Sequence, residues 1–260
     1  MNKRRLQDMA DNPDLIPGIY NYCDRWCERC THGARCLTFQ MEQEEAGRLP
    51  PEAHDLNNAA FWQRIGDSFA LVREMIDDFL KREGITLTEE DLAAAAAQEH
   101  LDHERVKKHP CCRAAHTYIG LVDAWFASDT DAWQAKAKEL EQAAELRLPG
   151  RAPRKEFAEL RDAVEVIRFY QYFLYPKIAR ALGSRLDGDE FGDASGSAKI
   201  ALIAMDRSLG AWSRLHAHFP EREAATLPLL IHLEKLRRAV EKTFPQARAF
   251  VRPGLDEPAT

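Results

Sequence analysis

The 260-residue sequence lacks any stretch of about 18 uninterrupted apolar residues, the length that a membrane-spanning helix requires. Its N-terminus also lacks the pattern of a signal peptide. The basic residues Lys3, Arg4 and Arg5 are followed by polar and acidic residues such as Asp11 and Asp14, and no apolar segment comes after them. We therefore expect a cytoplasmic protein that has no membrane partner.

An excess of positive charge is missing as well. The sequence has 36 Lys and Arg against 42 Asp and Glu, and its formal net charge is −6. Without a broad basic field, the chain is a poor partner for nucleic acid. A nucleophile elbow, a Walker loop and a dinucleotide fingerprint are also absent, which excludes the commonest acyl-transfer and phosphate-transfer chemistries.

No segment of four to eight residues alternates like a β-strand between hairpin turns, whereas helical periodicity recurs along most of the chain. Apolar residues follow one another at steps of three and four from Phe61 to Leu80, and Gly84 supplies a C-terminal stop. Similar stripes run from Cys111 to Trp125 and from Leu202 to Phe219. The patterns predict an all-α fold, an irregular bundle of about seven or eight helices.

Proline and glycine positions divide the chain into three parts. The pair Pro50 and Pro51 separates a cysteine-rich, metal-binding segment at 1–50 from a helical bundle domain at 51–245. Residues 246–260 are rich in turn-forming residues, and we expect them to form an extended C-terminal tail.

Four of the six cysteines lie within fourteen residues. Cys23, Cys27, Cys30 and Cys36 have the spacing C-x3-C-x2-C-x5-C. Thiols stay reduced in the cytoplasm, so such a cluster is better interpreted as a set of metal ligands than as disulfides. Four thiolates joined by short loops can converge on one metal centre without help from the rest of the chain.

The spacing favours one metal over another. Structural zinc usually uses two separated C-x2-C pairs, whereas one compact block with unequal spacings is more typical of an iron-sulfur cluster. We therefore expect a [4Fe-4S] cluster, with Zn²⁺ as the alternative. Tyr20, Tyr22 and Trp26 lie among the cysteines and could shield a cluster from water, or simply pack this segment onto the bundle.

The first three cysteines resemble the C-x3-C-x2-C motif of radical-SAM enzymes. The resemblance covers only the eight residues from Cys23 to Cys30. That family requires the parallel strands of a βα barrel, which this sequence lacks, so radical-SAM chemistry is rejected.

A second group of ionisable residues follows in the predicted bundle. Glu99 and His103 lie four residues apart on the stripe of Leu92, Ala96 and Val106. Ionisable groups on a core-facing stripe are costly unless they are paired or bind metal. If the chain reverses at Pro110, His103 comes opposite His116, which shares a helix face with Cys112 and Asp123. These residues could hold a second metal ion, or they could form a buried polar network or a solvated helix edge.

Two functions of different class are compatible with these observations. The first is an iron-sulfur protein of the oxidoreductase class. Its cluster relays electrons towards the second site and exchanges them with a redox partner protein or a small-molecule substrate. The second is a zinc-stabilised helical module that binds another protein without catalysis. A hydrolase that uses a metal ion in the bundle alone is a weaker third interpretation.

Overall fold

The computed structural model of the chain describes residues 3–48, 50, 55–128, 130–146, 150, 152–189 and 192–256. All regular secondary structure in these ranges is helical, so the prediction of an all-α fold is confirmed. The described ranges contain nine α-helices, which are α1 Lys3–Ala10, α2 Leu37–Ala46, α3 Ala59–Glu83, α4 Glu89–Lys108, α5 Pro110–Ala127, α6 Thr130–Glu145, α7 Pro153–Leu186, α8 Asp193–His218 and α9 Glu223–Thr243. None of the described helices is both long enough and apolar enough to cross a lipid bilayer.

The chain divides into two compact units. One comprises Met1–Glu99 together with Val251–Thr260, and the other comprises His100–Phe250.

The unit His100–Phe250 is built around α7 and α8, which pack extensively against each other. Helix α5 packs on α7 and α9, and α9 also packs on α8. The apolar seams that the sequence predicts for α5 and α8 face this core: Tyr118, Trp125, Trp212 and Leu215 are all buried. Burial of these seams supplies most of the free energy that holds the helices together.

Hydrogen bonds satisfy the polar tips of the buried aromatic side chains. The Trp212 Nε1–H donates to the Tyr118 hydroxyl at 3.0 Å, and the Trp125 Nε1–H donates to Thr226 Oγ1 at 2.9 Å. Burial raises the pKa of Tyr118 to about 12, so its hydroxyl stays protonated. A buried tryptophan or tyrosine without such a partner would lose the benefit of its burial.

Helix α7 continues through Pro176, where the sequence predicts a kink or a split. The helix is not split, because it extends from Pro153 to Leu186. Proline removes the hydrogen bond to the carbonyl four residues earlier, which here belongs to Tyr172. Both Pro176 and Tyr172 are exposed, so water can satisfy that carbonyl.

In the unit Met1–Glu99 with Val251–Thr260, local signals fix the ends of α3 and the start of α4. The Asn58 side chain caps α3 by accepting a hydrogen bond from the Ala60 N–H, and Gly84 ends the helix with a left-handed φ of 67°. Thr88 and Asp91 then form a capping box in which each side chain accepts from the other residue's backbone N–H. The sequence offers Thr86 or Thr88 as the cap and Glu89 as the acidic residue of a capping box. In the structure Thr88 is the cap, and Asp91 takes the acidic position in place of Glu89.

Two leucines in the unit His100–Phe250 provide a matched test of how much burial contributes to stability. Leu229 and Leu227 lie in the same helix, but Leu229 is 2% exposed and Leu227 is 47% exposed. We expect Leu229→Ala to lower the free energy of unfolding by about 2–5 kcal/mol, because it leaves a cavity, and Leu227→Ala to lower it by less than about 1 kcal/mol. Urea denaturation followed by circular dichroism measures both. Equal losses would contradict the placement of α9 in the core.

Candidate metal centre

Short helical turns determine how the N-terminal cysteines are positioned relative to one another. Cys27–Arg29 and Gly33–Arg35 are single 3-10 turns, closed by hydrogen bonds from Cys30 N to Cys27 O at 3.1 Å and from Cys36 N to Gly33 O at 3.2 Å. Helix α2 begins directly after Cys36. Each cysteine thus lies at the edge of a turn, a position from which its side chain can reach a common point.

A further reversal separates Cys23 from Cys27. Arg25 has a φ of 60°, in the left-handed region that is uncommon for residues other than glycine. The Trp26 N–H donates to the Asp24 carboxylate at 3.2 Å, as in an Asx turn. The tight turn returns the chain and brings both cysteines to the same side.

The four cysteine side chains line one cavity. It has a volume of about 30 Å³ and is also lined by the apolar residues Ile19, Phe39 and Leu255. A cavity of this size has room for about two water molecules. The four cysteines therefore border the same cavity, and their role as metal ligands stays a prediction.

The thiols are free, and they influence one another electrostatically. All six cysteines of the chain are unpaired. Burial raises the pKa of Cys27, and the nearby carboxylate of Glu42 and the other three cysteine side chains raise it further. Burial is likewise the main cause that raises the pKa of Cys23, to which Cys36 adds. A bound cation would remove the repulsion between the four thiolates.

The arrangement does not yet have the geometry of a closed metal site. Within the described ranges, no three His, Cys, Asp or Glu side chains are placed so that together they could hold an ion. The donor set of four sulfurs fits zinc or an iron-sulfur cluster by its chemistry. Binding would therefore have to draw the four side chains inward, a local rearrangement of the kind that couples metal binding to folding.

The polar surroundings of the sulfurs are sparse. The His32 N–H donates to Cys30 Sγ at 3.4 Å, and the Cys23 thiol donates to the Tyr20 carbonyl at 3.6 Å. Of the three aromatic residues that were predicted to shield the cysteines, Trp26 lines the cavity. The Arg29 guanidinium lies 4.0 Å from the centroid of the Trp26 ring. Cys30 is exposed, whereas the other three cysteines are partly covered. The cavity thus has one face open to solvent.

Two cavity-lining residues carry no recognisable signal in the sequence. Phe39 belongs to α2, and its ring lies 3.0 Å from the position that a Cβ on Gly33 would occupy. Leu255 comes from the segment that the sequence predicts to be an extended tail. The hydrogen bond from Ile16 N to Arg35 O at 2.9 Å further ties the segment before the cysteines to the turn that precedes Cys36.

The residues around Leu255 form a turn that packs against the N-terminal segment. The Arg252 side chain donates to the Asp256 carboxylate, which also accepts the Arg252 backbone N–H at 3.0 Å. Gly254 has a φ of 66°, and a Cβ at this position would lie 2.6 Å from Ile16 Cγ2. This close approach requires a glycine and places Leu255 against the cysteines.

The residues of the second predicted group lie mostly at the surface. Glu99, His103 and His116 are exposed, and the stripe that was expected to face the core is buried only at Val106. Exposed ionisable groups do not need a metal or a partner, so these positions agree with the alternative of a solvated helix edge, and the second metal ion stays a prediction.

Cys112 lies in a different environment from the three exposed residues. It is fully buried, and burial raises the pKa of its thiol to about 11. A neutral, apolar thiol of this kind packs like a small hydrophobic side chain. Neighbouring Cys111 is buried too, with its sulfur 3.8 Å from Thr243 Oγ1, in agreement with the packing role that its seam predicts.

Comparisons with protein-family models, with curated proteins and with solved structures found no match to this chain.

Gly254 and Gly84 provide a matched test of the contact beside the cysteine cavity. Both have a left-handed φ close to 66°, but an added Cβ meets Ile16 at Gly254 and nothing at Gly84. Gly84→Ala should cost about 1–2 kcal/mol of stability from backbone strain alone. Gly254→Ala should cost about 1–3 kcal/mol more, because Ile16 must move. Urea denaturation measures both, and equal losses would show that Gly254 does not pack on Ile16.

Proposed function

We propose that Cys23, Cys27, Cys30 and Cys36 bind one metal centre, and that this centre is a [4Fe-4S] cluster with a redox function. The observation that carries the proposal is the shared cavity, which all four free thiols line although they come from separate turns. The other two cysteines of the chain, Cys111 and Cys112, lie outside this cavity.

Three features favour the cluster over zinc. The spacing is a single compact block with unequal intervals, which is typical of cluster ligation. The cavity walls are apolar at Ile19, Phe39 and Leu255, and a low-polarity shell excludes water from a cluster. The N–H of His32 points at Cys30 Sγ, and such bonds to sulfur help to set a reduction potential.

A bound cluster supplies one-electron chemistry, and the protein contributes access and shielding. The exposed side at Cys30 is the side from which a redox partner protein would approach. The apolar wall residues Phe39 and Leu255 keep solvent away. A relay towards Glu99, His103 and His116 stays a prediction from the sequence, and the exposure of these residues adds no support for it.

The alternative is a structural zinc ion. The small cavity volume, about 30 Å³, favours a single ion over a four-iron cluster, since a cluster needs a larger displacement of the side chains. In that case the metal would fix the N-terminal segment, and the helices would serve to bind another protein. Metal identity therefore separates the two functions.

The first test is reconstitution without oxygen. The chain prepared anaerobically with iron and sulfide should be brown and bind about four iron and four sulfide ions, and dithionite reduction should give the electron paramagnetic resonance signal of a reduced cluster. Colourless protein with one zinc ion per chain would support the zinc alternative. Protein that binds neither metal would contradict both.

Cysteine variants test which thiols are ligands. Cys23→Ala, Cys27→Ala, Cys30→Ala and Cys36→Ala should each lose most of the bound metal, because a site with three ligands binds it far more weakly. Cys111→Ala and Cys112→Ala are the matched controls, since these thiols lie in α5 and outside the cavity. They should retain the full metal content. Metal lost equally from both groups would mean that the variants act through folding.

A further inference from the structure

Helix α3 is long and amphipathic, yet its apolar side is uncovered. Across the part of the chain that the structure describes, no α3 side chain is buried. Phe69 is 72% exposed, Val72 52%, Ile76 51% and Phe79 48%. Helices gain most of their stability from packing of the apolar face, so a helix of 25 residues with this stripe requires a partner.

Phe69, Val72 and Ile76 line a groove within the unit Met1–Glu99. It has a volume of about 970 Å³, and its walls are α3, the connection at Ile85 and Leu87, and the start of α4 at Leu92. Most of its lining is apolar, and the charged residues are Arg73, Asp77 and Lys81. An amphipathic helix is a suitable occupant for such a groove.

The apolar area is in the range that a dimer interface needs. Seven large side chains in or beside the groove are 45–72% exposed, namely Phe69, Val72, Ile76, Phe79, Ile85, Leu87 and Leu92. At on the order of 100 Å² each, they present roughly 700 Å² of apolar surface per chain. A standard interface buries about 800 Å² per partner, whereas the largest patch on a monomer is about 300–600 Å².

The spacing of the stripe identifies the partner. Phe69, Val72, Ile76 and Phe79 follow one another at steps of three, four and three, and this sequence of steps is the same in both directions. An antiparallel second copy therefore presents the same pattern in register, with Phe69 opposite Phe79 and Val72 opposite Ile76. The two-fold axis passes at the level of Glu74, whose side chain points to the far side of the helix.

We propose that α3 packs antiparallel on α3 of a second copy of this chain, and that the groove between α3 and α4 receives the partner's helix. The two helix pairs then bury their stripes in a four-helix arrangement with a self-complementary interface. This dimer is independent of the metal centre, because the groove contains none of the four N-terminal cysteines.

Sedimentation of the full chain tests the proposal. At micromolar concentration the protein should have twice the chain mass of 29.6 kDa. Ile76→Glu places a charge in the stripe and should raise the dissociation constant at least about 100-fold. The matched control is Gln63→Glu, which adds the same charge to an exposed position on the opposite side of α3. It should leave the dimer intact, and circular dichroism confirms that both variants stay helical.

Mixing two variants tests the register. Val72→Glu chains and Ile76→Lys chains should each be monomeric alone, because either charge faces an apolar partner residue. Mixed together they should form a heterodimer, since the new acidic and basic groups then lie opposite each other. Wild-type protein that remains monomeric, an Ile76→Glu variant that remains dimeric, or a mixture that does not associate would each overturn the proposal.

Discussion

An amphipathic helix in water has to cover its apolar side, and the two units of this chain meet that requirement differently. In His100–Phe250, α7 and α8 cover each other, and α5 and α9 complete a core in which the buried aromatic side chains have hydrogen-bond partners. In the N-terminal unit, short turns and ion pairs such as Arg64 with Glu45 hold the elements, while the stripe of α3 stays open. Burial of large apolar side chains is therefore concentrated in His100–Phe250, and the exposed stripe of α3 lies in the other unit.

Local patterns predicted the helices well, since periodicity, caps and stop signals act within a few residues. The Gly84 stop and the apolar seam from Cys111 to Trp125 are observed as the sequence indicates. Periodicity defines a stripe but does not identify what covers it. The stripe of Leu92 and Ala96 was expected to face a core, and both residues are exposed. The prediction for Glu99 and His103 depended on that expectation.

The cavity beside the cysteines depends on both local and distant residues. Spacing alone predicted that the four thiols lie near one another, because the loops between them are short, and all four line one cavity. Leu255 could not be predicted as a wall of that cavity, since no residue near it in the sequence is a cysteine. The sequence predicted an extended tail there, and the positive φ of Gly254 explains how a turn approaches Ile16 so closely.

The position of Leu255 also bears on the order of events during biosynthesis. A ribosome makes the four cysteines first, and the wall that Leu255 provides follows only after α3 to α9 have been synthesised. Until Leu255 has been synthesised, the cavity that the four thiols line therefore lacks one of its apolar walls.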